Sequence, residues 1–126
     1  MDTREIDNAI GAHGLWKTRL KVAIDTGKLD ASPSEIKMNN HCAFGKWLYG
    51  SSLTAQDKAS KHYLTISELH SQFHKIAAQI AELALAGRKA EAETLLSHKG
   101  EFATVSAKLT SALMDWKKSQ TPALVK

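Results

Sequence analysis

Residues 54–87 read TAQDKASKHYLTISELHSQFHKIAAQIAELALAG and contain the longest periodic pattern in the chain. Thr54 followed by Asp57 is typical of a helix start, and Gly87 is typical of a helix end. The segment therefore predicts about thirty residues of helix. Its large apolar side chains alternate spacings of three and four residues, the period of an α-helix, at Ile66, Leu69, Phe73, Ile76, Ile80 and Leu83.

Two further long helices are predicted, one on each side of this segment. The first covers residues 3–26, because a capping-type start precedes it and Gly27 follows it. The last covers residues 88–119, with Gly100 as a point of bending or interruption. The apolar face of the first helix is formed by Ile6, Ile10, His13, Trp16, Leu20 and Ile24. The corresponding face of the last helix is formed by Leu95, Phe102, Val105, Leu109, Leu113 and Trp116.

The connection after the first helix is the longest in the chain, because the apolar pattern lapses over residues 29–40. Ser32 can be an N-cap with Pro33 at the next position, which allows a short helical turn. Asn39 and Asn40 can cap a second short helix over residues 42–49, which we expect Gly50 to end in the left-handed conformation. The sequence thus predicts an all-α fold, an antiparallel helical bundle of three long helices plus one or two short helices.

Length and composition fit a single domain over residues 1–120, followed by a loose tail or linker remnant at 121–126. The chain has 126 residues and one cysteine, so an internal disulfide is excluded. No apolar run approaches the ~20 residues needed to span a bilayer, and the first residues lack a secretory signal. We therefore expect a cytoplasmic protein that does not insert into membranes. The net charge of +4 comes from scattered lysines interrupted by acids, which argues against nucleic-acid binding.

Histidines and the lone cysteine are the residues most suited to chemistry. His70 and His74 lie one helical turn apart on one face, the spacing at which two side chains can share a metal ion. Ser71 follows His70, so the HExxH pattern of metalloproteases is absent. Cys42 falls near the first turn of its short helix, where backbone N–H groups favour the thiolate. His13 lies on the apolar face of the first helix and is expected to point inward.

Three histidines and one cysteine make up the tetrahedral donor set of a saturated zinc site. Spacing alone does not choose His13 over His41, His62 or His98 as the remaining ligand, and the predicted burial of His13 favours it. Two other interpretations stay open. In one, the chain is a structural helical dimerisation module in which these side chains pack without metal. In the other, a water completes the zinc shell of a small hydrolase. No carboxylate stands near the ligand motifs as a base, so we expect no enzyme activity.

Three short motifs carry a resemblance to a known family. They are His13-Gly-Leu-Trp16, Cys42-Ala-Phe-Gly45-Lys-Trp47 and His70-Ser-Gln-Phe73-His74. In order and spacing they resemble the HxxW, CxFGxW and HxxxH motifs of the chemoreceptor zinc-binding (CZB) domain, over roughly residues 5–118. The resemblance implies a helical bundle, commonly a homodimer, that binds one zinc ion through His13, Cys42, His70 and His74.

The family resemblance also implies a role in bacterial signalling. Such domains act in cis or in trans with chemoreceptors or diguanylate cyclases, in chemotaxis or cyclic-di-GMP signalling. They respond to zinc, or to oxidants of the hypochlorous-acid type that attack the zinc-bound cysteine, here Cys42. Leu15 and Val22 lie off the main stripe of the first helix and are consistent with a dimer. We expect several residues to pack near the site or to support its ligands: Gly14, Trp16, Asn39, Asn40, Gly45, Trp47, Gln72 and Phe73.

Overall fold

The protein is described here by a computed structural model that covers residues 3–29, 31–38, 42–97 and 100–120. These residues form seven α-helices and no strand, so the all-α class is confirmed. Four of the helices are short, against the one or two expected, and the predicted tail at 121–126 lies outside the described residues. The helices are α1 (Thr3–Thr26), α2 (Pro33–Lys37), α3 (Ala43–Tyr49), α4 (Ala55–Ala59), α5 (Lys61–Leu85), α6 (Lys89–Leu96) and α7 (Glu101–Gln120).

The three long helices, α1, α5 and α7, form the body of the bundle. Tyr63, in the first turn of α5, lies with its ring centroid 6.3 Å from that of Trp116, near the end of α7. Asp7, near the start of α1, forms an ion pair with Lys117, with 2.8 Å between Asp7 Oδ1 and Lys117 Nζ. Because α1 and α5 both begin where α7 ends, α7 is antiparallel to both of them. The connection over residues 27–60 returns the chain so that α1 and α5 share one direction.

The core lies between these helices, and α5 contributes most to it because it contacts α1, α2, α4, α6 and α7. Small side chains let the neighbouring helices approach α5 closely, and Ala77, Ala81 and Ala84 are buried. The buried face of α5 is consequently wider than the predicted stripe, in which Leu69, Ile76 and Leu83 remain partly exposed. The large side chains that are fully buried are Ile6, Leu20, Ile24, Leu48, Ile66, Phe73, Ile80, Leu109, Leu113 and Trp116.

The predicted thirty-residue helix is interrupted at Ser60. Thr54 and Asp57 form the expected capping box, but the helix that they start, α4, ends at Ala59. Ser60 has an extended backbone, and its Oγ accepts the Tyr63 N–H at 3.2 Å while donating to the Asp57 carbonyl at 2.8 Å. A serine that satisfies both helix ends stabilises the break, since such side chains compete with the continuous helical hydrogen-bond pattern.

Glycines end or separate several of the other helices. Gly27 and Gly87 have φ of 72° and 78°, the left-handed conformation expected after α1 and α5. The break between α6 and α7 falls at Gly100, where a Cβ would lie 2.5 Å from the Leu95 carbonyl oxygen. The prediction for Gly50 is wrong, because its backbone is extended, with φ −85° and ψ −170°. Gly50 is required instead because a Cβ there would meet the Lys46 carbonyl oxygen at 2.6 Å.

None of the helices in the described ranges is both long enough and apolar enough to cross a membrane.

Candidate metal centre

Three separate parts of the chain bring four potential metal ligands together. His13 comes from the middle of α1, Cys42 directly precedes α3, and His70 and His74 lie on consecutive turns of α5. One donor atom from each residue lies within 4.8 Å of all the others. These are the four residues proposed from the sequence. His62 is not part of the group, and His41 and His98 lie outside the described residues.

Three of the six distances between the donor atoms are close to those around a tetrahedral zinc ion. His70 Nε2 and His74 Nε2 are 3.0 Å apart, and Cys42 Sγ lies 3.4 Å and 3.6 Å from these two nitrogens. Zinc bonds of about 2.0–2.3 Å give tetrahedral edges of about 3.3–3.6 Å. The donor set therefore has the chemistry of a closed zinc site, with Cys42, His70 and His74 close to the required spacing and His13 within 4.8 Å of them.

Backbone carbonyls orient two of the imidazoles toward the centre. His74 Nδ1 donates to the Ile36 carbonyl at 2.8 Å, and His13 Nδ1 donates to the Ala9 carbonyl at 2.8 Å. Because Nδ1 carries the proton in each ring, Nε2 is left with the lone pair that a metal needs. His70 Nδ1 is buried and has no hydrogen-bond partner among the described residues. The carbonyls of Ala9 and Ile36 carry no side-chain signal, and sequence reasoning missed them.

The protonation of these histidines suits metal binding at neutral pH. Burial lowers the pKa of His13 to about 4, helped by the nearby His74. It lowers the pKa of His70 to about 2, and it also lowers the pKa of His74. All three rings are therefore neutral at pH 7, the state in which imidazole binds a metal.

Cys42 is the N-cap of α3, and its Sγ accepts the Gly45 N–H at 3.2 Å. The sequence led us to expect that this helix end favours the thiolate. Burial nevertheless outweighs the backbone N–H groups and raises the pKa of the Cys42 thiol. A metal cation held by the three histidines would offset this effect of burial and favour the Cys42 thiolate, because a thiol that coordinates a metal is deprotonated.

Aromatic rings surround the histidines. Phe73 lies edge-on to His13 with 4.9 Å between the ring centroids. Phe44 lies 5.1 Å from His70 and 5.8 Å from His13 in the same manner, a contact that sequence reasoning missed although the CxFGxW motif contains this residue. Trp47 lies one layer further out, against Phe44 and Trp116. Phe44 and Phe73 therefore keep water away from the parts of the His13 and His70 rings that they cover.

Other predicted neighbours of the site have different roles. Gly14 is exposed, and a Cβ there would meet nothing within 4 Å, so the expected close approach is wrong. Gln72 is exposed, and it lines a surface cleft with Lys75 and Ile76, away from the four donor atoms. Trp16 lines a small cleft beside His13 and Cys42. Asn39 and Asn40 lie outside the described residues.

A helical bundle with a closed set of three histidines and one cysteine defines a zinc-binding domain. The family model of the chemoreceptor zinc-binding domain (CZB) matches residues 13–81, which is more than half of the chain and includes all four donors. The chain belongs to this family, and the zinc predicted from the sequence is confirmed as its cofactor. The members of this family are regulatory and sensory domains, and the family is not a known enzyme family. No match was found among curated proteins or among solved structures.

Proposed function

We propose that this chain is a sensory domain that binds one zinc ion and regulates a bacterial signalling protein, a chemoreceptor or a diguanylate cyclase, in cis or in trans. The observation that supports the proposal is the origin of the four donors: they come from α1, from the residue before α3, and from α5. A metal ion joins these segments, which are distant in sequence. When one ligand is lost, the segments can move relative to one another. A change of that kind is what a regulatory domain transmits.

Cys42 is the ligand through which we propose that oxidants act. It is partly exposed, whereas the three histidines are 5%, 0% and 2% exposed. In the reaction with hypochlorous acid, the thiolate sulfur gains the hydroxyl oxygen and chloride leaves, so sulfur loses two electrons and chlorine gains them. The sulfenic acid that forms is a weaker ligand than the thiolate.

Loss of Cys42 from the centre would loosen the N-terminal end of α3 and leave Phe44 as its remaining contact with His13 and His70. The other end remains attached, because Tyr63 Oη donates to the Leu48 carbonyl at 3.0 Å and Lys58 Nζ donates to the Gly50 carbonyl at 2.7 Å. The helix would therefore swing about its C-terminal end rather than detach. Trp47 on α3 packs against Trp116 on α7, so this movement would alter packing near the end of α7.

We also propose that the chain acts as a homodimer. Leu15 and Val22 are 64% and 51% exposed on one face of α1, and Met114 of α7 is 49% exposed. Apolar side chains exposed at helical spacing favour association with another helix. Light scattering on the native chain should give a dimer, and Leu15→Lys together with Val22→Lys should give a monomer with an unchanged zinc content.

The sensor proposal is tested by measuring metal and oxidation together. The native chain should retain about one zinc per chain after dialysis, as one closed site requires. Cys42→Ala and His74→Ala should retain much less, while Gln72→Ala, an exposed neighbour on α5, should match the native chain. Hypochlorous acid added in equimolar amounts should then release zinc to a colorimetric chelator in step with sulfenic acid at Cys42, measured by mass spectrometry after trapping.

Two results would contradict parts of this proposal. If oxidation of Cys42 leaves both the zinc content and the amide exchange of residues 42–50 unchanged, the oxidant part is wrong and a zinc sensor remains. If the native chain binds no zinc after growth with ample metal, the sensor proposal as a whole fails. The structural module that packs without metal is then the better explanation.

A further inference from the structure

The metal centre is not equally enclosed on all sides. His70 and His74 face the bundle interior, while the edge formed by Cys42 and His13 lies closest to solvent. A small cleft of about 140 Å³ opens between α1 and α3 at that edge, and its walls include both Cys42 and His13. We call it the α1–α3 cleft. It is large enough for a few water molecules.

The lining of the α1–α3 cleft is mostly apolar and contains one carboxylate, that of Glu5. Glu5 and Asn8, in the first two turns of α1, line it together with Ala12 and Trp16 further along the helix. No lysine or arginine is among the described residues that line it. Trp16 is held in place by Arg19, whose guanidinium carbon lies 3.9 Å from the ring centroid. The lining of the cleft therefore combines one carboxylate with two of the four metal donors.

A second, larger groove also reaches the centre and provides a comparison. It runs between α1 and α7, has a volume of about 560 Å³, and touches only His13 among the four donors. Lys17 and Lys118 line it against a single carboxylate, Asp115. The positive balance of this groove repels a divalent cation. The Glu5 carboxylate in the lining of the α1–α3 cleft attracts one, although Arg19 lies over the Trp16 ring and the charge of Lys46 acts on Cys42.

We propose that the α1–α3 cleft is the path by which Zn²⁺ reaches and leaves the centre, with the Glu5 carboxylate as the first group to attract the cation and Ala12 and Trp16 setting the width of the path. The proposal rests on zinc occupying the four-donor centre. A path differs from a ligand in its effect on binding. Narrowing a path slows association and dissociation by the same factor and leaves the dissociation constant unchanged, whereas loss of a ligand weakens the equilibrium binding itself.

The test compares two matched obstructions in the full chain. Ala12→Trp places an indole in the α1–α3 cleft, and Ala107→Trp places one in the α1–α7 groove; both alanines are exposed on helices. Association of Zn²⁺ with the metal-free chain is followed by stopped flow, and dissociation by transfer to a chelator. We expect Ala12→Trp to slow both rates by about ten-fold with an unchanged dissociation constant. Ala107→Trp should change neither rate.

The charge of the Glu5 carboxylate is tested separately. Glu5→Gln should lower the association rate by about three-fold at low salt and the difference should vanish at high salt, because the attraction is screened. Glu68→Gln removes the same charge from an exposed site on α5 and should have no effect. Neutral iodoacetamide provides a second readout on the metal-free chain. Its reaction with Cys42 should be slowed by Ala12→Trp but not by Glu5→Gln.

Three results would overturn the proposal. If Ala107→Trp slows zinc exchange and Ala12→Trp does not, the metal uses the α1–α7 groove. If neither obstruction matters, the metal enters through a larger opening of the bundle. A native chain that binds no zinc would remove the centre together with its path, and the zinc content of each sample, measured alongside the rates, separates this case from the other two.

Discussion

The two histidines of α5 and the cysteine before α3 reach the same centre from very different surroundings. His70 and His74 belong to a 25-residue helix that contacts five of the other helices, and they are 0% and 2% exposed. Cys42 is partly exposed and precedes a helix of only seven residues. The histidines are thus fixed by the core whether or not a metal is bound, while the position of Cys42 depends on far fewer contacts.

This difference indicates how the domain divides its work. Under the proposed function, the α5 side would supply a rigid half-site, and the α3 side would supply the ligand that leaves on oxidation. Segments that rearrange in regulation belong to the less stable parts of a protein, with few buried contacts. The following predictions test this division, beginning with the largest expected effect.

Removal of zinc should lower the stability of the chain more than any single substitution outside the centre. At a free Zn²⁺ concentration about 1,000 times the dissociation constant, binding to the folded state stabilises it by about 4 kcal/mol. Urea unfolding with zinc and with a chelator would measure this difference. The Cys42→Ala variant should lose most of the stabilisation by zinc. If zinc stabilises this variant as much as the native chain, the assigned ligand set is wrong.

Acid should destabilise the metal-free chain. Burial lowers the pKa of His13 to about 4, below its unfolded value, so the unfolded chain binds more protons between these pH values. Stability is therefore complete above about pH 6.5 and falls as the pH drops toward 4, by about 3 kcal/mol from His13 alone. Urea midpoints measured from pH 7.5 to pH 5 should decrease, and His13→Gln should flatten the decrease. A flat native profile would show that the rings are not buried in the neutral form.

The two sides of the centre should differ even without metal. His74→Ala leaves the Ile36 carbonyl without its donor and opens a cavity on α5. Cys42→Ala removes a helix cap and the weak sulfur contacts with His70 and His74 at a partly exposed position, and it leaves a smaller cavity. We expect His74→Ala to cost about 2 kcal/mol more than Cys42→Ala in the metal-free chain. Equal costs would mean that α3 is as firmly packed as α5.

The smallest expected effect concerns the attachment of α3. Tyr63→Phe removes the hydrogen bond to the Leu48 carbonyl and should cost about 1 kcal/mol. Amide exchange should accelerate over residues 43–49, while residues 66–81 of α5 should keep their protection. Uniform acceleration over both segments would indicate that the two regions open together.

Much of the long-helix framework could be predicted because its signals are local. The bounds of α1 follow from an unbroken apolar face and from Gly27, which takes the left-handed conformation as expected. The interruption predicted at Gly100 is confirmed, whereas the break at Ser60 was not predicted. A serine within a helical pattern is compatible with both a continuous helix and a cap, and the choice depends on contacts such as that between Tyr63 and Trp116.

The candidate site could be predicted only in part. Ligand types and motif spacing identified the four donors, because histidine and cysteine are distinctive in a sequence. The groups that orient them are the backbone carbonyls of Ala9 and Ile36, which every residue possesses. The raised pKa of the Cys42 thiol likewise depends on burial in the folded chain, which helix position alone does not reveal.

The ion pair between Asp7 and Lys117 has a mechanical consequence. It joins the first turns of α1 to the last turns of α7 at one pole of the bundle, with Trp116 buried directly beneath. A force pulling these two helix ends apart would peel the helices from that pole, breaking one contact after another. None of the four donors lies on α7, so a bound metal would keep α1 attached to α5 and to the start of α3 without resisting this separation.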